Sequence, residues 1–122
     1  MIINSKLLPK PVVLYSGGTT SSATLSKSIV NFKRIKVFGV STDGEGAYAE
    51  IFNNNSATIN GVLITARIGG TDNYMSTASF TISNQILTLS RQGQTRIRNN
   101  GNATITSNTN IMKITRIEGY TD

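Results

Sequence analysis

Between Ser76 and Ser83 the chain alternates residue by residue, with Ala78, Phe80 and Ile82 on one parity and Thr77, Ser79, Thr81 and Ser83 on the other. Only an extended strand sends successive side chains to opposite faces, so this run predicts a strand with one buried and one solvated side. Ile35 and Val37 oppose Lys36 and Phe38 in the same manner, which leaves Phe38 on a polar, basic face. Ser, Thr and Asn make up about a third of the residues while charged residues are only 15%. Thr favours strands and short polar side chains favour turns. Solvated outer strand faces follow, and the fold class is all-β.

Strand candidates recur at the spacing of a sandwich, near residues 12–16, 23–28, 34–40, 47–53, 57–60, 62–68, 77–83, 86–90, 95–98, 103–106 and 112–117. Asn60-Gly61, able to take positive φ at both positions, reads as a hairpin turn between two of them. Gly69-Gly70, Asn84-Gln85, Gln92-Gly93 and Asn99-Asn100-Gly101 are further turn signals. With 122 residues and 38% apolar content the chain is one domain, able to bury a core without disulfides or metal. Residues 1–11 read as an extended arm because Pro9 and Pro11 restrain it, and 12–122 as the domain. No apolar run is long enough for a membrane span, so no membrane insertion is expected.

One register of short elements is specific enough to compare with known proteins. Leu14-Tyr15-Ser16-Gly17 is followed by Thr24-Leu25-Ser26-Lys27-Ser28-Ile29 and by Asn31-Phe32-Lys33-Arg34-Ile35-Lys36-Val37. This resembles the opening of a small β-domain near the C-terminus of bacteriophage tail fibres, with a weaker echo in Ile111 to Tyr120. The resemblance implies an antiparallel, jelly-roll-like β-sandwich in a virion assembled in a bacterial cytoplasm. It implies attachment to a host-surface glycan or protein, contact with other virion proteins, and a homotrimer. A purely structural virion component, such as a head fibre or decoration protein, is the alternative within the particle.

The residue inventory narrows the chemistry. Histidine and cysteine are both absent, which removes the Ser-His-Asp triad, thiol catalysis and the common zinc sites. Of the six acidic residues, Asp43 with Glu45 or Glu50 could in principle form a glycosidase pair, and Asp43-Gly44-Glu45-Gly46 reads more simply as a solvated turn. The same turn lacks the alternating oxygen ligands of a calcium loop. The expectation is a binding protein without catalysis, metal or cofactor.

A net charge of +6 makes a single-stranded nucleic-acid-binding barrel the main rival. Lys33, Arg34 and Lys36 stand beside Phe32 and Phe38, and Arg91, Arg96 and Arg98 form a second group. No RNP or cold-shock aromatic signature accompanies them, which argues against nucleic acid, and a basic surface equally suits anionic envelope polysaccharides. Without tryptophan, a glycan platform falls to tyrosine. Asp72, Asn73 and Tyr74, read as a loop after Gly69-Gly70, are the ligand-binding candidates. Ile2, Ile3, Leu7 and Leu8 in the arm, together with Phe38, are the candidates for the subunit interface of the trimer.

Overall fold

The computed structural model describes residues 10–69, 71–107 and 110–122. Among these it contains β1 (Val12–Thr19), β2 (Ser22–Thr24), one 3-10 turn (Ile29–Asn31), β3 (Arg34–Ser41), β4 (Gly46–Phe52), β5 (Thr58–Gly69), β6 (Asp72–Ser83), β7 (Ile86–Arg98), β8 (Ala103–Ser107) and β9 (Met112–Tyr120). One antiparallel sheet has the order β1-β9-β3-β4, and the other β2-β7-β6-β5 with β8 also on β7. The two sheets close on each other as an all-β sandwich. The interface arm candidates Ile2, Ile3, Leu7 and Leu8 lie outside the described residues.

The core is what the alternation demands. Ile35 and Val37 from β3, Ile114 and Ile117 from β9, Leu63 from β5 and Ala78, Phe80 and Ile82 from β6 are fully buried between the sheets. Leu25, Ile29 and Phe32 close one end. Phe32 lies flat against Gly119, where a Cβ would stand 2.7 Å from the ring. Buried Asn53 fastens this end: its side-chain amide donates to the carbonyls of Ile29 at 2.8 Å, Phe32 at 3.1 Å and Ser56 at 3.0 Å. Asn54 and Asn55 follow at positive φ and donate backbone hydrogen bonds to the Lys33 and Phe32 carbonyls.

Three local expectations are corrected. Asn60-Gly61 is no hairpin but the middle of β5, paired with Thr81 and Phe80. Asn60 accepts a hydrogen bond from the Thr81 hydroxyl, and Gly61 is required because the Phe80 ring lies over it. The candidates at 57–60 and 62–68 are therefore one strand. Those at 86–90 and 95–98 likewise merge into β7, whose register slips between Ser79 and Phe80 to leave Ser90 as a bulge. Gln92-Gly93 is strand, and Gln92 ties the sheets together, donating to the Thr20 carbonyl and accepting from the Ile111 and Met112 amides. The candidate at 23–28 shortens to β2, after which Ser28 caps the 3-10 turn by accepting from the Val30 amide. The turns at Asn84 and at Asn99 to Gly101 are found, with positive φ at Asn84 and Gly101.

Candidate functional site

β5, β6 and β7 are long, and their far ends bring polar residues into inward positions. Strand alternation puts Arg67 of β5, Asp72, Tyr74 and Ser76 of β6, and Gln94 and Arg96 of β7 on the same side as Leu63 and Ala78. The β3–β4 turn, bent at Gly44 with φ +91, presents Asp43 and Glu45 to this side. Arg67 lies 3.9 Å from Asp43 and 3.8 Å from Glu45. Gln94 donates to Asp43 at 3.1 Å and to Ser76 at 3.3 Å, and the Ser41 hydroxyl donates to Glu45 at 3.0 Å. Arg96 donates through Nε to Asp72 at 2.8 Å and lies 5.9 Å from the centre of the Tyr74 ring. That hydrogen bond, then the Asp72 charge, raises the Arg96 pKa and holds its guanidinium charged. Asp43, Arg67, Gly69, Thr71, Asp72 and Tyr74 enclose an open cleft of about 480 Å³.

The three ligand-binding candidates are thus divided. Asp72, Asn73 and Tyr74 form no loop: they open β6, paired with β5 and β7 on either side. Gly69 already faces Asp72 across the hairpin, so the turn ends before the aspartate. Asp72 and Tyr74 line the cleft, while Asn73 points to the opposite face between Ile68 and Ile97. Arg67, Gln94 and Arg96 were not anticipated here. Their signal was the parity shared by Asp72, Tyr74 and Ser76 and by Gln94 and Arg96, which looks like a strand once the loop reading is dropped.

The outer face of the β1-β9-β3-β4 sheet carries the first basic cluster. Lys36 lies in register between Glu50 and Glu118, Phe38 between Tyr48 and Arg116, and Arg34 between Phe52 and Tyr120. Arg34 pairs with Glu50 at 3.3 Å and Asp122 at 3.0 Å, and Arg116 with Glu118 at 2.7 Å. Arg34 and Lys36 also stand over the Tyr120 ring at 4.3 and 4.8 Å. The Tyr48 hydroxyl donates to Glu50 and, with Arg34 and Lys36, holds that carboxyl below its ordinary pKa. Arg34, Lys36 and Arg116 thus face three carboxylates, so this part of the face is no unopposed basic stripe for a phosphate backbone. Phe32 is buried in the core and offers no stacking platform. Phe38 is on the outer face as the alternation requires, and part of the cover expected from a neighbour comes from Tyr48, ring centres 5.2 Å apart.

Among the described residues no three acidic side chains gather as metal ligands, and no helix is long and apolar enough to cross a membrane. The cleft instead sets acceptors beside a donor: Asp43 and Asp72 accept, Arg67 donates, and Tyr74 offers an apolar face with a polar tip, while Arg96 donates to Asp72. Such a surface matches a hydroxyl-rich ligand, whose hydroxyls donate to carboxylates and whose C–H faces cover an aromatic ring. Compared with known proteins, the chain matches no protein-family model and no curated sequence.

Proposed function

We propose that this domain is a virion attachment module that binds a bacterial surface polysaccharide in the cleft between the β3–β4 turn and the β5–β6 hairpin, without catalysis. The observation that carries the reading is the convergence of Asp43, Arg67, Asp72 and Tyr74 around one open cleft, with Arg96 bonded to Asp72. Sugar hydroxyls would exchange hydrogen bonds with the carboxylates and guanidinium groups, and a ring face would lie on Tyr74. Arg67, with a side chain more than half exposed and only long ion pairs, is free to meet a phosphate or carboxylate on an anionic glycan. The tail-fibre resemblance of Leu14 to Val37 supports placing the module in a phage particle, as a homotrimer beside other virion proteins. A purely structural virion role draws support from the apolar outer face of β5 to β8.

An array of purified envelope polysaccharides, including wall teichoic acids and capsules, tests the reading beside a random single-stranded oligonucleotide. Retention of at least one polysaccharide is expected, with oligonucleotide binding that is weak at physiological salt and collapses as salt rises. Tight, sequence-selective oligonucleotide binding would overturn attachment. Release of reducing ends that Asp43→Ala or Glu45→Ala abolishes would overturn the absence of catalysis.

A further inference from the structure

The far half of the β2-β7-β6-β5 sheet, with β8 added, is inverted relative to the near half. Its inward positions are polar, and its outward positions carry Val62, Ile64, Ile68, Met75, Ile97 and Ile105. Ile64 is 57% exposed, Ile68 86% and Ile105 75%. The exposure is continuous, not scattered. Ala66, Met75, Thr95 and Ile105 pair in one row across four strands, and Ile68, Asn73, Ile97 and Ala103 in the next. No outward position from Val62 to Ile68, from Asn73 to Thr77, or from Gly93 to Ile97 is charged, and Arg91 stands at the margin beside Ser79.

We infer that this face is an interface between copies of this chain. The first argument is charge. Each copy carries a formal +6, and every acidic residue is already in an ion pair within the chain. Two like copies therefore repel wherever the surplus cations stand, and this face has none of them. The second is area. Four strands about 4.8 Å apart, over seven residues in β5 and five in each of β6, β7 and β8 at about 3.4 Å per residue, give a plane of roughly 360 Å² per copy before side-chain relief is added. Two such faces together come to roughly 700 Å² in the plane, short of the roughly 1,000 Å² that a stable interface clears and on the scale of a weak, concentration-dependent one. The third is shape: Ile, Val and Thr on one sheet face can interdigitate with the same residues on a second sheet about 10 Å away, as inside a sandwich. The inference rests on this sheet and not on the attachment reading, so either can fail alone.

Size exclusion with light scattering on the full chain, over a range of concentrations, is the test. A multiple of 13.1 kDa is expected for the wild type. The paired substitutions Ile64→Lys with Ile105→Lys, and separately Ile68→Lys with Ile97→Lys, are each expected to return the mass to 13.1 kDa with the far-UV circular dichroism retained. A wild type that stays monomeric overturns the inference. So does an oligomer that survives both folded variants, which would move the contact to the arm of Ile2, Ile3, Leu7 and Leu8 or to Phe38. Loss of the folded spectrum in both pairs overturns it too, since the residues would then belong to the core of a single chain.

Discussion

Where Ile59, Phe80, Ile82 and Leu87 lie, the β2-β7-β6-β5 sheet is apolar inside and carries mostly Thr, Ser and Asn outside, Ile86 apart; at its far end Asp72, Tyr74, Ser76, Gln94 and Arg96 face inward while Ile64, Ile68 and Ile105 face out. Strand propensity and ladder hydrogen bonds are alike in both regions, so the difference lies in what each face meets. The near half is covered by Ile35, Val37, Ile114 and Ile117 of the opposite sheet, and burial there drives folding. The far half faces the β3–β4 turn, whose Asp43 and Glu45 pair with Arg67 and favour polar neighbours. A side chain there can be chosen for recognition without removing a core contact. Under the proposed function, stability and recognition would occupy opposite ends of the same strands.

The largest effect is expected at the near end. Phe32→Ala removes the ring that seals the sandwich against Gly119, and should cost about 3–5 kcal/mol in the urea-unfolding free energy. A loss no larger than that of an exposed strand residue would break the division between the two ends. Acid gives a smaller, graded loss. Burial raises the pKa of Glu118, but hydrogen bonds from Arg116 and Tyr120 and the Arg116 and Lys36 charges outweigh it, so the folded value is lowered. Glu50 is lowered chiefly by the Tyr48 hydrogen bond and Asp122 by that from Arg34. A carboxyl depressed in the folded state contributes stability above its unfolded pKa and loses it as pH falls through the folded one. The melting temperature should therefore hold from neutral pH to about 5 and fall progressively below it, where the carboxyls of the unfolded chain begin to protonate. A fall that begins near neutrality would contradict these ion pairs.

Parity made the near half legible. In the second half of β6 apolar and polar residues alternate without a break, and in β3 they do so from Arg34 to Val37, so face and burial follow from spacing alone. The far half hid because its pattern is inverted and its composition is that of a turn. Gly69, Asp72 and Asn73 form turns readily, and nothing local distinguishes a hairpin that ends at Asp72 from a longer loop. Asn60-Gly61 misled for a related reason. The dipeptide permits positive φ but does not demand it, and Gly61 is there to admit Phe80, a contact set by a distant strand. The Asn53 clamp is non-local in the same way, joining residues more than twenty positions apart in sequence. Of the cleft, the sequence offered Asp72 and Tyr74, and it took the register of β5, β6 and β7 to add Arg67, Gln94 and Arg96 and to turn Asn73 away.

Tyr74→Ala, read for binding and stability on the same sample, tests the separation of recognition from folding most directly. Affinity for the polysaccharide that the wild type retains most strongly should fall about tenfold or more, a change of about 1.4 kcal/mol or greater. The unfolding free energy should change by about 1 kcal/mol or less, the scale of one cross-strand pair. Unchanged binding, or a stability loss comparable to that of Phe32→Ala, would contradict the account.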